Sequence, residues 1–264
     1  MISASEMRVT FGRGTPLENR ALQGLSLTLE AGEFVTVIGS NGAGKSTLLN
    51  ALAGEILLDA GRILIDGEEV THLSTHQRAA KIARVFQNPL LGTCERLSIE
   101  ENMALAIKRG GKRGLSWAVK NRYKKRFQEA LAHLNLGLEN RLQDKMGLLS
   151  GGQRQAVSLL MASLTPSSIL LLDEHTAALD PKTASFVIAL TQEIVAQEKL
   201  TTLMVTHSMR QALDVGSRTI MLHQGRVVFD IADEARCGLG VADLLKLFEQ
   251  QSGEKMGDDA LILG

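Results

Sequence analysis

Cysteine is scarce in this chain: Cys94 and Cys237 are the only two, far apart in 264 residues. That excludes a disulfide framework and points to free thiols in a reducing compartment. An excess of either charge is also missing, with 29 Lys and Arg against 29 Asp and Glu and a formal net charge of zero. A domain devoted to holding DNA or RNA is usually basic overall, so no nucleic-acid partner is expected. Long apolar runs are absent: a stretch such as Phe186–Leu190 falls far short of the roughly 20 residues a membrane helix needs. Met1–Thr10 holds no apolar run of signal-peptide length. The expectation is a soluble, cytoplasmic protein that meets a membrane only through a partner. Aromatic rings are few, with one Tyr, one Trp and seven Phe. There is no internal repeat and no low-complexity linker. What remains is an ordinary globular composition, 44% hydrophobic and 22% charged, in a chain long enough to bury a full core without staples.

The N-terminal third reads as strands. Leu25, Leu27 and Leu29 alternate with polar neighbours, as on a half-buried strand. Phe34–Ile38 is nearly continuous apolar, which suits a strand covered on both faces. A helix is expected from about Ser46 to Ala53, stopped by Gly54, with further strands at Gly61–Asp66 and Arg84–Gln87. Residues 88–164 change character. Ser98 and Glu101 fit a capping box ahead of a helix to Ile107. Phe127, Ala130, Leu131 and Leu134 repeat at helical spacing, and Gln153–Leu164 reads as a helix stopped by Pro166. The last third returns to strand–helix alternation, with buried strands at Ile169–Asp173 and Thr201–Thr206. Asp180-Pro181 makes a helix start, and Gln224-Gly225 a hairpin turn. The fold class expected is α/β: a P-loop (RecA-like) core sheet, an N-terminal antiparallel portion and an inserted helical subdomain. One domain is expected over residues 5–245, with a loose tail at 246–264.

Gly39-Ser40-Asn41-Gly42-Ala43-Gly44-Lys45-Ser46 fits the G-x-x-x-x-G-K-[ST] pattern between a strand and a helix. Its glycines let backbone N–H groups point at phosphate oxygens. Lys45 sets a cation against the outer phosphates, and Ser46, followed by Thr47, offers a hydroxyl to magnesium. The helix N-terminus adds its positive end. Such a loop needs a carboxylate for the metal, and Asp173 supplies one at the end of a buried strand. Glu174 beside it is placed to polarise the attacking water as general base. Leu149-Ser150-Gly151-Gly152-Gln153 is a second anion-binding nest at a helix start, with Ser150 as N-cap. One monomer does not need two nests for one nucleotide; a dimer does, if each nest closes over ATP held by the other copy.

In this order the motifs resemble the ATP-binding subunits of ABC transporters, over about residues 5–245. The resemblance implies ATP and Mg²⁺ as ligands, and it implies roles for further residues. Gln87 matches the glutamine that touches magnesium and the water, His207 the switch histidine that contacts the γ-phosphate, and Ala178-Leu179-Asp180 the loop that crosses the dimer interface. Phe11 matches the aromatic that stacks on adenine, although an apolar residue in an N-terminal strand is as often plain core. The chain departs from the family at His175, where proline is usual after the catalytic glutamate. His175 is either a tolerated turn substitution or a group that titrates near the interface.

A short, separate subunit resembles bacterial importer ATPases. Gly32–Leu49 looks like ATPases of amino-acid uptake, and His175–Lys182 like an importer group paired with periplasmic solute-binding proteins. The implied partners are a second copy, integral membrane subunits near Asn88–Leu97 and a solute-binding protein, with the chain on the cytoplasmic side of the inner membrane. Lys108–Arg126 carries nine Lys or Arg and no acid, as a solvated face or one facing anionic lipid. The rivals are an ABC-class ATPase outside transport, such as a cluster-assembly factor, and an adaptor that binds nucleotide without turnover. Intact Glu174 and His207 argue against the adaptor.

Overall fold

Leu25, Leu27 and Leu29 face inward on the second of two long N-terminal strands, β1 (Ile2–Phe11) and β2 (Asn19–Leu29), which pair antiparallel. The computed structural model describes residues 1–111 and 121–253. Along the chain follow β3 (Phe34–Ile38), α1 (Lys45–Ala53), β4 (Ala60–Ile65), β5 (Glu68–Glu69) and α2 (Thr75–Arg78). Next come β6 (Ile82–Val85), α3 (Ile99–Ala106), α4 (Asn121–Ala132), α5 (Gly151–Ser163), β7 (Ile169–Asp173) and α6 (Pro181–Glu198). The chain closes with β8 (Thr202–Val205), α7 (Met209–Asp214), β9 (Arg218–His223), β10 (Arg226–Ala232), α8 (Asp233–Arg236) and α9 (Val241–Ser252). These elements form two compact units: Met1–Arg78 together with Leu200 onward, and Ala79–Lys199.

In the first unit β1 also pairs antiparallel with β4, giving the order β2-β1-β4-β5. The continuous apolar run of β3 is explained by its place between two parallel neighbours, β8 and β9, where all five residues are buried. Strands β9 and β10 form the expected hairpin; Gln224 and Gly225 both take positive φ, 46° and 74°, as a two-residue turn requires. Ile38, Met209, Met221, Leu244 and Phe248 share one core cluster. Helix α9 therefore runs across position 245, where the sequence reading ended the domain, and the remainder of the expected tail from 254 lies outside the described residues. Arg78 is fully buried beneath α1. It donates through Nη1 to the carbonyls of Ala51 and Leu52, both at 2.7 Å, through Nε to Leu73 O and through Nη2 to Thr71 O. The bonds to Ala51 and Leu52 reach carbonyls in the last turn of α1, and the other two tie in the segment before α2.

In the second unit β6 and β7 pair in parallel, Ile82 opposite Ile169 and Val85 opposite Leu172. The Ser98–Glu101 capping box is present in both directions, at 3.1 and 2.7 Å, and starts α3 as expected. Phe127 and Leu131 are buried on one face of α4, and Leu134 is buried just past its end. Two cations of the basic stretch turn inward. Arg109 donates to the carbonyls of Ala162 and Thr165, and Arg126 to that of Leu164, so they close the C-terminus of α5. Residues 112–120 of that stretch lie outside the described residues.

Candidate active site

The phosphate loop leaves the C-terminal end of β3 and runs into α1. Two of its glycines are fixed by crowding. A Cβ on Gly39 would lie 2.2 Å from Leu222 O, and one on Gly44 would lie 2.6 Å from Ala21 O. The hairpin turn supports the loop from behind, because Gly225 N–H donates to Ala43 O at 3.0 Å and its own carbonyl accepts from Gln23 N–H at 2.9 Å. Within the loop Ala43 N–H donates to Ser40 O at 3.1 Å. Lys45 is buried, and its ammonium donates to Gly39 O at 2.6 Å and Ser40 O at 3.1 Å. The cation is thereby tied to two carbonyls of the loop itself. Asn41 and Ser46 are exposed and Thr47 is half-buried. No acidic residue occupies the first turn of α1, so its positive end is unopposed there.

His207 follows β8, the parallel neighbour of β3, so both segments emerge at the carboxyl ends of adjacent strands, where open α/β sheets bind ligands. Its neighbours are locked. Thr206 Oγ1 donates to Gln211 and accepts from Ser208 N–H, while Ser208 Oγ accepts from Gln211 N–H as the N-cap of α7. Phe11 ends β1 with 42% of its surface exposed, which removes the reading of it as a core residue.

The second unit holds the carboxylates. Asp173 is the last residue of β7, and its Oδ2 pairs with Arg84 Nη2 at 2.7 Å. The Arg84 guanidinium also lies 4.7 Å over the Phe86 ring. Glu174 adopts a left-handed backbone, φ 41°, rare for a residue with a Cβ and found where function fixes geometry. Its carbonyl accepts from Ala177 N–H at 2.9 Å, and its Oε2 from Gln87 Nε2 at 3.4 Å. Gln87, Asp173 and Glu174 are thus gathered at one end of the β6–β7 pair. Gln87 does not end its strand as expected: β6 stops at Val85, and Gln87 lies exposed in the bend beyond it. His175 is 2% exposed, and burial pushes its imidazole down to about 4. A site near the surface that titrates around neutrality is therefore not what His175 provides.

Helix α5 begins at Gly151, as Ser150 at the N-cap requires, two residues before the Gln153 start of the expected helix span. Ser150 Oγ accepts from Gln153 N–H at 3.2 Å, and Gln153 Oε1 accepts from Ser150 N–H at 3.1 Å. Ser150 and Gly151 are exposed, whereas Gly152 is buried. A Cβ on Gly152 would lie 2.1 Å from Thr183 Cγ2, in the first turn of α6. Asp180 caps that helix, accepting from Thr183 N–H at 3.1 Å; hydrogen bonding from the Thr183 side chain first, and from its backbone second, holds the Asp180 carboxyl below the usual range. Sequence reasoning did not single out Arg84, Thr183 or Thr191. Only Arg84 had a visible signal, a charge inside an otherwise apolar strand.

Comparison with known proteins gives the same assignment. The family described as ABC transporter matches residues 22–177. The tyrosine transport ATP-binding protein of Clostridioides difficile (strain R20291) is 46% identical over 231 residues, 88% of this chain and 92% of that protein. The thiamine import ATP-binding protein ThiQ of Escherichia coli (strain UTI89 / UPEC) is 35% identical over 221 residues, 83% of this chain and 90% of that protein. Among solved structures, a dimeric ATP-binding cassette in a post-hydrolysis state bound to ADP and Pi superposes with TM-score 0.74 at 30% identity, covering 88% of this chain and 98% of that one. The chain belongs to the ABC transporter family, as an ATP-binding and ATP-hydrolysing subunit that powers solute transport. Among the described residues no helix is long and apolar enough to cross a membrane.

Proposed function

We propose that this chain drives import of an amino-acid-like solute from the cytoplasmic face of a bacterial membrane, as a dimer, with separate membrane subunits and a solute-binding protein. The observation that carries the dimer is the capped turn of the Leu149–Gln153 nest, the family's signature segment: Ser150 and Gly151 are ordered by a local capping box yet are exposed. The similarity to a tyrosine transport subunit and to a cassette solved as a dimer supports the reading. Leu90 and Leu91, 41% and 71% exposed just after Gln87, support a protein contact on that segment. The relatives compared are transport subunits, and no observation favours cluster assembly.

In this mechanism ATP binds the loop from Gly39 to Ser46 and Thr47, and its base stacks on Phe11. Ser150, Gly151, Gly152 and Gln153 of a second copy then close over the γ-phosphate, while Asp180 lies at the seam. Glu174 takes the proton of the attacking water, oriented by Gln87 and His207. Lys45 and the signature N–H groups stabilise the charge that spreads over the phosphoryl oxygens. The Ser46 hydroxyl, the Gln87 amide and the Asp173 carboxylate are hard oxygen donors that fit Mg²⁺ arriving with nucleotide. Bound there, the ion would neutralise phosphate charge.

Glu174→Gln is expected to retain ATP binding, lose most hydrolysis and accumulate as a dimer with ATP on size-exclusion chromatography. Ser150→Arg is expected to bind ATP normally and not dimerise. Full-speed hydrolysis by a strictly monomeric preparation would overturn the shared-site reading. For the solute, the complex rebuilt with its membrane subunits is expected to be stimulated by an aromatic or other amino acid together with the binding protein. Stimulation only by a vitamin or a metal chelate would overturn that choice.

A further inference from the structure

Glu174 has a left-handed backbone and needs a restraint outside itself, since such a conformation costs about 1–3 kcal/mol in a residue with a Cβ. The turn that follows supplies local bonds, from Ala177 N–H to Glu174 O and from Leu179 N–H to Thr176 O. These bonds close the turn on itself. They do not tie it to the body of its unit.

Besides the Gln87 bond to the Glu174 carboxylate, the next side chain ties this turn to α6. His175 Nε2 lies 3.0 Å from Thr191 Oγ1, and both residues are buried. The Thr191 hydroxyl has one hydrogen, and it is directed to Val187 O at 2.7 Å, one turn back in α6. Towards His175 the hydroxyl can therefore only accept, which makes Nε2 the protonated nitrogen of a neutral ring. The chain of bonds runs from the imidazole to the hydroxyl to a backbone carbonyl of α6. It joins the residue after the catalytic carboxylate to the middle of an 18-residue helix.

We propose that His175 is a positioning residue for hydrolysis: its buried ring, tethered to Thr191, holds the strained Glu174 backbone so that the carboxylate faces the attacking water. This inference rests on the reading of Glu174 as general base. It assigns a role to the departure from the proline usual at this position, where a ring closed on the backbone would restrict the chain locally. Here the restraint comes from a hydrogen bond to a different element.

The test uses the full chain and compares Thr191→Val, Thr191→Ser and the double variant His175→Phe/Thr191→Val. Thr191→Val keeps the shape and removes the acceptor. It is expected to lower kcat about tenfold, with KM for ATP and nucleotide affinity changed less than about twofold, because a misplaced group lowers turnover without loosening substrate. Thr191→Ser keeps the hydroxyl and is expected to restore kcat. The double variant replaces both partners by apolar groups, which guards against misfolding from an unsatisfied imidazole, and is expected to be as slow as Thr191→Val. In a Glu174→Gln background Thr191→Val should cause no further loss. Wild-type kcat in Thr191→Val or in the double variant, or Thr191→Ser as slow as Thr191→Val, would overturn the proposal. If Glu174→Gln itself turns over normally, the general-base reading fails as well. If only Glu174→Gln is slow, that reading stands and the role of His175 falls alone.

Discussion

Arg84 Nη2 sits 2.7 Å from Asp173 Oδ2, joining neighbouring parallel strands β6 and β7 at the end where the carboxylates gather. Both side chains are largely buried. Removing the guanidinium leaves a carboxylate in low-dielectric surroundings without its charge partner. Arg84→Met should therefore lower the unfolding free energy by roughly 3 kcal/mol. Urea denaturation checks this, and an unchanged midpoint would show that the pair is solvated in solution.

The Gly152–Thr183 approach predicts an epistatic pair. Gly152→Ala places a methyl in the space of Thr183 Cγ2 and should destabilise by about 1–3 kcal/mol through overpacking. Thr183→Ser removes that methyl while leaving the backbone N–H that Asp180 caps. A double-mutant cycle read by thermal melting should show the two changes partly cancelling. Additive losses would mean that the helices separate without strain.

Arg78 closes the end of the helix that follows the phosphate loop. Arg78→Met keeps the length of the side chain but strips its donors from four carbonyls. The expected loss is about 3–5 kcal/mol, since buried groups are left unpaired. Arg78→Lys should recover only part of it, because an ammonium cannot reproduce the fork.

Stability should also depend on pH through His175. Its pKa falls from 6.5 in the open chain to about 4 in the folded protein. Between these values the unfolded state binds a proton that the folded state refuses. Stability from this group is thus complete above about pH 6.5 and is lost progressively down to about pH 4, by about 3 kcal/mol in all. Unfolding curves across this window should show the slope in the native chain and a flatter one in His175→Gln.

Features coded by near neighbours were legible in the sequence. The Ser98–Glu101 box, the Asp180-Pro181 helix start and the Gln224-Gly225 turn each depend on a few consecutive residues, and each is present. The strand and helix flanking Gly39–Ser46 were legible because the glycines, lysine and apolar runs form one continuous pattern. Boundaries were less so. Phe86 prolongs the apolar pattern of β6, so the strand was carried to Gln87 although pairing ends at Val85. The domain was ended at 245 and no helix was read over Val241–Ser252, although Leu244 and Phe248 fall on one face. Pairs distant in sequence could not be read at all. Nothing near Gly152 announces Thr183, nothing near His175 announces Thr191, and the inward turn of Arg109 and Arg126 onto α5 is invisible in a run of positive charges.

The Gly225 N–H to Ala43 O bond has a practical outcome for anyone altering this protein. The β9–β10 turn looks like a convenient place for a tag or a grafted loop, being short and at a strand end. It is instead bonded to the backbone of the Gly39–Ser46 loop, the proposed nucleotide loop. Lengthening it by even one residue should shift the loop proposed to hold phosphate and show up first as poorer nucleotide retention, with the fold still intact.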